Sequence, residues 1–262
     1  PHDRRKLAKA GGAVLCLEAA TGKLLWQLLV PKFRVPRPEL TLDQWQAGIC
    51  SAATVDGERV YLISNRGEVL CLDVHGLANG NDGPFQGEAQ HMVEPGQPPT
   101  TLEPTDADIL WRYDMLAELG AWPHDAASGA VLVHGNLLYA GTSNGQDKSH
   151  RYAANPMAPS LIALDKRSGA LAAVDDAQIG RRLLNGQWSS PALVMVGATP
   201  LVLYGGGDGV CYAFDGTPVP GTGQATGLFR QVWSYDCNPE EFKRLDRENG
   251  TMFTRKSMQA EI

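Results

Sequence analysis

One segment of the sequence groups side chains that could bind a small ligand: Asn185-Gly186-Gln187-Trp188-Ser189-Ser190-Pro191. Gln187 and Ser189 could donate hydrogen bonds, and Trp188 could line a funnel with an apolar ring that carries one N–H donor. An apolar run follows at once, which favours the alternative that these residues cap the entrance to a strand. We name Gln187, Trp188 and Ser189 as candidate cofactor-binding residues, with strand capping as the simpler explanation.

A second segment, residues 79–83, offers oxygen atoms of the kind that calcium prefers. The side chains concerned are those of Asn79, Asn81 and Asp82, which lie among two glycines. The segment lacks the glutamate that closes an EF-hand loop, so the pattern by itself does not establish a metal site. We predict no metal site in the chain, and these three residues are the candidate ligands if an ion binds.

Cysteines and histidines do not form the patterns that ligate metals or attack substrates. Among the six histidines, His124 lies between Pro123 and Asp125, and none shows the H-x-x-x-H spacing of a metal site. The cysteines are odd in number and form neither a C-x-x-C motif nor an adjacent pair, so we predict no zinc site, no complete disulfide framework and no catalytic residue. The five are Cys16, Cys50, Cys71, Cys211 and Cys237.

Composition limits the classes of protein to which the chain can belong. Of its 262 residues, 43% are hydrophobic and 20% charged, which is typical of a globular protein. The net charge of −6 leaves no basic surface to neutralise phosphates, so we predict that nucleic acid is not a partner. No run of 18 apolar residues is present, so we predict no transmembrane segment.

A short sequence motif, an apolar strand that ends in an acidic residue, occurs four times. The acidic residues are 55, 92 and 50 residues apart. Such a residue usually accepts hydrogen bonds from the following turn, so we interpret Asp73 and Asp165 as structural and only in second place as metal ligands. The four copies are Val14-Leu15-Cys16-Leu17-Glu18, Val69-Leu70-Cys71-Leu72-Asp73, Leu161-Ile162-Ala163-Leu164-Asp165 and Cys211-Tyr212-Ala213-Phe214-Asp215.

The predicted strands on either side of these motifs indicate a repeating unit of four antiparallel strands. A hairpin precedes each later copy, and a strand with tryptophan follows at 109–114 and at 232–236. Four-stranded units repeated radially are the blades of a β-propeller, so we predict an all-β fold with an incomplete ring of about three to four blades. We place parts of one blade at 1–30 and further blades at about 46–114, 125–176 and 186–236, with 237–262 as the start of another blade or a linker. We expect blades to be missing at both ends.

The residues Leu15 to Trp26 resemble the PQQ-like repeat of quinoprotein-type propellers, whose usual form is A-L-D-x-x-T-G-x-x-x-W, and Leu161 to Gly169 match its first half. Two departures are the cysteines at positions 16 and 71 and Val174 near the place of the tryptophan in the third copy. The resemblance implies that tryptophan packs between blades and that Thr21-Gly22 tethers them. The residues with a structural role in the repeat are Thr21, Gly22, Trp26, Asp73, Trp111, Asp165, Gly169, Asp215 and Trp233.

The resemblance implies two kinds of function. Quinoprotein dehydrogenases of this family oxidise alcohols or sugars with PQQ and calcium, whereas scaffolds similar to the outer-membrane assembly factor BamB are not catalysts. Alcohol-oxidising members hold PQQ against two adjacent cysteines, and this sequence has no such pair. We therefore predict a non-catalytic periplasmic or extracytoplasmic scaffold, with no cofactor in this chain. The alternative is a fragment of a PQQ- and calcium-dependent dehydrogenase, and a sensor or adaptor domain of a bacterial surface protein is a third possibility.

Two long insertions are the expected sites of recognition. Residues 75–107 and 142–159 interrupt predicted blades where strands connect. Loops of this length in a compact domain are usually functional or disordered. We expect the insertions to bind protein or polysaccharide partners.

Overall fold

The computed structural model of the chain describes residues 10–32, 35–183, 185–219 and 227–239. In these ranges the strands are β1 Gly11–Leu17, β2 Leu24–Pro31, β3 Thr54–Asp56, β4 Arg59–Ile63, β5 Glu68–Asp73, β6 Ile109–Asp114, β7 Leu132–His134, β8 Leu137–Gly141, β9 Leu161–Asp165, β10 Leu171–Asp175, β11 Ala192–Val196, β12 Thr199–Gly205, β13 Val210–Asp215, β14 Gly227–Phe229 and β15 Gln231–Asp236. Short α-helices span Glu88–His91 (α1) and Met115–Leu119 (α2), and 3-10 helices span Gly76–Asn79 and Ile179–Arg182. None of these described helices is long and apolar enough to cross a membrane.

The strands form four sheets, which we number as blades 1 to 4 in chain order. Blade 1 is the hairpin β1–β2, blade 2 has the order β3-β4-β5-β6, and blade 4 has the order β11-β12-β13-β15. Blade 3 has the order β7-β8-β9-β10, and β14 adds to its edge as a fifth, parallel strand. The sheets of the described residues do not close into a ring. The prediction of an all-β, incomplete β-propeller with four-stranded antiparallel blades is therefore confirmed.

Alternating side chains bury both faces of the inner blades. In β5 all six residues are buried, with Val69 and Cys71 facing blade 3 and Leu70 and Leu72 facing blade 1. Successive side chains of a strand point to opposite faces of the sheet. Because both faces of β5 are buried, its sequence motif is a continuous apolar run and does not alternate with polar residues. Three apolar clusters result, one at each junction between neighbouring blades.

Tryptophans link the first three blades in the same way at two junctions. Trp26 is 2% exposed, and its indole N–H donates to the carbonyl of Val74 at 2.7 Å. Trp111 donates from the next blade to the carbonyl of Lys166 at 3.3 Å. Each acceptor follows the acidic residue that ends a strand of the neighbouring blade, so the repeat provides both the ring and its hydrogen-bond partner.

Glycines beneath these tryptophan rings have no room for a side chain. A Cβ atom on Gly76 would lie 2.8 Å from Trp26, and one on Gly169 would lie 2.6 Å from Trp111. Both glycines also have positive φ values, of 60° and 74°. Glycine is required here for space as well as for backbone conformation. By contrast, a Cβ atom on Gly22 would meet nothing within 4 Å.

Acidic residues of the repeat cap the turns that follow them. The Oδ1 atom of Asp73 accepts from the backbone N–H of His75 at 2.6 Å. In the same way Asp165 accepts from Ser168 at 2.8 Å and Asp215 from Thr217 at 2.9 Å. In the first copy, the hydroxyl of Thr21 donates to the Glu18 carboxylate.

Blade 3 lacks a tryptophan, and a residue from another strand fills its place. Ala173 lies opposite Ala163, in the register that Trp26 and Trp111 occupy in their blades, while Val174 lies one position further on. The buried ring of Phe229, on β14, lies 5.8 Å from the Tyr139 ring and 6.1 Å from the Phe214 ring.

A tyrosine makes the hydrogen bond at this junction. The hydroxyl of Tyr139 donates to the carbonyl of Gly216, which follows Asp215, at 2.6 Å. The junction between blades 3 and 4 therefore keeps the hydrogen bond of the repeat but takes its aromatic filling from Phe229. In blade 4 the repeat tryptophan, Trp233, is 42% exposed. Of the segment predicted as a further blade or linker, residues 240–262 lie outside the described residues.

Substitution of Trp26 by alanine should lower the free energy of unfolding by about 3–5 kcal/mol, because it removes a buried ring and leaves the Val74 carbonyl without its donor. Urea denaturation followed by circular dichroism measures the change. The control is Leu25→Ala on the same strand, where the side chain is 44% exposed and the expected loss is below about 1 kcal/mol. Equal losses in the two variants would contradict the placement of Trp26.

Substitution of Phe229 by alanine should cost about 3–5 kcal/mol of unfolding free energy, since it opens a cavity between blades 3 and 4. Phe229→Leu keeps much of the volume and should cost about 1–2 kcal/mol. Denaturation of the two variants under the same conditions measures the difference. A loss below about 1 kcal/mol for Phe229→Ala would show that the ring does not replace the missing tryptophan.

Candidate functional site

The insertion at 75–107 folds against blade 2 as an ordered layer. It contains the 3-10 helix Gly76–Asn79 and the helix α1, and its residues Glu88, His91 and Met92 are buried. Two polar sites lie where this layer meets the blade. We call them the acidic cluster and the arginine groove.

The acidic cluster consists of Asp73, Asp82 and Asp108, whose carboxylates each place an oxygen within 4.8 Å of the others. Asp73 ends β5, Asp108 directly precedes β6, and these two strands are paired. Asp82 comes from the insertion, and its backbone N–H donates to Oδ2 of Asp108 at 2.9 Å. Two strand ends and one loop therefore bring together three carboxylates that are distant in the sequence.

The environment of Asp108 opposes its negative charge. Its side chain is 0% exposed, and Oδ1 has no hydrogen-bond partner among the residues that the structure describes. Burial, followed by the nearby charges of Glu88, Asp73 and Asp82, raises the pKa of Asp108 to about 6, although the hydrogen bond from Asp82 acts in the opposite direction. A positive charge at this position would stabilise the carboxylate.

Only one of the three predicted metal ligands lies in the cluster. Asp82 does, whereas Asn81 uses its amide for other contacts, donating to Glu88 at 3.1 Å and accepting from Gln86 at 2.8 Å. Asn79 is exposed at the end of the 3-10 helix and is not a member of the cluster. The sequence signal for Asp73 was its place in the repeat, and nothing local distinguished Asp108.

A cavity of about 250 Å³ lies next to the acidic cluster. Asp73 and Asp82 line it together with two cationic residues, Arg59 and Arg167. Arg59 is held by blade 3, since its guanidinium donates to the carbonyl of Arg167 at 2.9 Å and to that of Lys166 at 3.2 Å. The cavity gives the cluster a connection to solvent.

The arginine groove, of about 330 Å³, combines charged residues with an apolar wall. Its charged side is built on Glu68, which is buried and accepts from Arg112 at 2.6 Å and from Ser64 at 2.8 Å. The Nε2 atom of His91 lies 3.0 Å from the same carboxylate. The lining residues include Arg66, Glu68, Arg112, Asp114, Leu116 and Trp122.

Both arginines of the groove are fixed in position but retain free donors. Arg66 donates from Nε to the carbonyl of Pro31 at 3.0 Å, and the guanidinium carbon of Arg112 lies 5.8 Å from the Phe85 ring. Each guanidinium has five N–H donors, so those not used in these contacts can bind an incoming carbonyl or carboxylate. The two arginines of the groove are therefore already ordered and have donors left for a ligand.

The predicted cofactor segment lies between blades 3 and 4. The amide of Gln187 is buried and donates to the carbonyl of Asn144 at 2.8 Å and to the Ser160 hydroxyl at 2.9 Å. The indole of Trp188 donates to the carbonyl of His124 at 3.1 Å, and Ser189 is exposed. The donors of Gln187 and Trp188 are engaged with loops of neighbouring blades. Binding of a cofactor by Gln187, Trp188 and Ser189 stays a prediction.

The fold, the acidic-ended strands and the tryptophans between blades define a PQQ-like β-propeller protein. The family model described as outer membrane protein assembly factor BamB matches residues 7–218. This match extends over most of the chain, so the chain belongs to that family. No curated protein matches the chain at a significant level.

Three solved structures similar to the chain are about twice as long as the part that the chain matches. BamB from Moraxella catarrhalis is 14% identical with a TM-score of 0.43, and the match covers 86% of this chain and 46% of that one. The quinohemoprotein alcohol dehydrogenase from Comamonas testosteroni is 14% identical with a TM-score of 0.40, covering 97% of this chain and 44% of that one. The computationally designed Ika8 protein is 14% identical with a TM-score of 0.43, covering 88% and 45% respectively. The chain spans less than half the length of each.

Replacement of Glu68 by glutamine should remove a pH-dependent part of the stability. Burial would raise the pKa of Glu68, but hydrogen bonds and charge from His91, Arg112 and Ser64 outweigh it and lower the pKa to about 2. A carboxylate with a lowered pKa stabilises the fold above its unfolded pKa and loses this contribution as the pH falls to the folded value. The wild-type advantage over Glu68→Gln, roughly 3 kcal/mol at pH 6, should therefore disappear between about pH 5 and pH 2.

Chemical denaturation of both proteins across this pH range measures the difference. The control is Glu118→Gln, which changes an exposed carboxylate of α2. A constant difference between wild type and Glu68→Gln at every pH would contradict the charged network.

Proposed function

We propose that the chain is part of a non-catalytic propeller that binds other proteins at the bacterial cell envelope and acts in the assembly of outer membrane proteins. The match of the BamB family model to residues 7–218 carries this proposal. A polysaccharide partner and the exclusion of nucleic acid remain predictions from the sequence.

The arginine groove is the proposed docking site for a segment of the partner. The apolar side chains of Leu116 and Trp122 form its wall, and Arg66 and Arg112 form its polar side. An extended peptide offers both matching features, because its carbonyls accept hydrogen bonds while an apolar side chain packs on the wall. Fixed arginines lose little side-chain entropy on binding, which favours affinity.

The helix α2 presents this wall in a defined orientation. Asp114 caps the helix by accepting from the backbone N–H groups of Leu116 and Ala117 at 3.1 and 3.0 Å. Gly120 ends it with a φ of 61°, in the left-handed conformation common after the last turn. The groove is therefore a built surface of blade 2 and not a loose loop.

A photo-crosslinking amino acid at Ala117 in the complete protein, expressed in its bacterium, should crosslink to an envelope protein that acts in outer membrane assembly. Mass spectrometry of the crosslinked band identifies the partner. Leu116→Glu should reduce the crosslinked fraction about fivefold or more, because a charge in the apolar wall costs at least about 1 kcal/mol of binding. The matched control places the crosslinker at Ala198, in an exposed turn of blade 4.

Two results would overturn the proposal. Equal crosslinking from Ala117 and Ala198 would show that the groove is not the docking site. Saturable quenching of tryptophan fluorescence by PQQ and calcium, together with dye-linked oxidation of an alcohol or sugar by the complete protein, would instead favour the dehydrogenase.

A further inference from the structure

We propose that Asp73, Asp82 and Asp108 bind one calcium ion, which fastens the insertion at 75–107 to blade 2. Two of these ligands are at the ends of paired strands and the third is in the insertion. An ion at this point would connect the two parts of the chain directly.

Distances within the acidic cluster fit a single ion. Calcium binds oxygen at 2.3–2.6 Å, so two ligands on opposite sides of one ion are at most about 5 Å apart. The three carboxylates each have an oxygen within 4.8 Å of the others, which satisfies this limit. The spacing of the three carboxylates is therefore compatible with one shared ion.

The unpartnered oxygen of Asp108 is the observation that indicates a ligand. Buried carboxylate oxygens are normally hydrogen-bonded or paired with a cation, because an unpaired buried charge is costly. The Asp108 side chain is 0% exposed, and its Oδ1 has no partner in the described part of the chain. The neighbouring carboxylates increase this cost, and a divalent cation would remove it.

Cationic side chains do not neutralise the cluster. Among the ion pairs of the described residues, none includes Asp73, Asp82 or Asp108. Arg59 and Arg167 both line the adjacent cavity, but neither forms an ion pair with the three aspartates, and the Arg59 guanidinium donates to two carbonyls of blade 3. The three aspartates therefore have no ion-pair partner in the described part of the chain.

Calcium fits the site better than magnesium. Calcium accepts six to eight oxygen ligands in variable geometry, whereas magnesium requires a near-ideal octahedron and retains several waters. The acidic cluster combines a fully buried carboxylate with an exposed one, Asp82, beside a cavity open to solvent. Three protein carboxylates with waters from the cavity can complete such a shell.

Isothermal titration of the metal-free chain with calcium chloride at pH 7.5 tests the proposal. We expect one saturable site with a dissociation constant below about 1 mM, as in extracellular calcium modules. Asp82→Asn should weaken binding at least about tenfold, since it removes a charged ligand from an exposed position where folding does not depend on it. Glu94→Gln is the matched control in the same insertion and should leave the affinity unchanged.

A second measurement tests the role of the ion. Calcium should slow proteolytic cleavage within 75–107 in the wild type but not in Asp82→Asn. Asp108→Asn should also abolish calcium binding, and circular dichroism shows whether that variant is folded. Absence of heat up to about 5 mM calcium, unchanged affinity in Asp82→Asn, or tighter binding of magnesium than of calcium would each overturn the assignment.

Discussion

Burial of both faces of the inner blades, 2 and 3, is the constraint on which the structure depends. In β5, alternate residues contribute to the apolar clusters on the two sides of blade 2. A sheet of this kind cannot be stable alone, because removing a neighbour exposes a whole apolar face to water. The tryptophan N–H bonds to Val74 and Lys166 add direction to this packing, since each fixes one blade against a particular backbone carbonyl of the next.

Local repetition made much of the fold predictable. The acidic residues that end strands and the tryptophans that follow them recur in short sequence motifs. The blades could therefore be recognised without knowing which distant residues are in contact. The junction between blades 3 and 4 could not be predicted in this way. Its filling residue, Phe229, lies far along the chain from Ala173, and no periodic pattern connects the two.

Functional residues were less predictable because they are brought together by the path of the insertion. Asp82 was recognised from its neighbours in the sequence, but the partners of its carboxylate lie at the ends of β5 and β6. The arginine groove depends on the same path, since His91 reaches Glu68 only when the insertion folds back on the blade. Gln187 and Trp188 were named from a local segment of the sequence. In the structure their polar groups form hydrogen bonds that join loops of adjacent blades.

The parallel strand β14 has a consequence for how such a chain could be divided or duplicated. In a simple array of repeats each unit contains its own filling residues, so a cut between two units leaves both intact. Here blade 3 borrows Phe229 from a segment that follows the third strand of blade 4. A cut between these blades would therefore remove the ring that completes blade 3. Blades 3 and 4 would therefore have to be cut out or duplicated together to keep this packing, whereas the junction of blades 2 and 3 depends on a tryptophan that blade 2 carries itself.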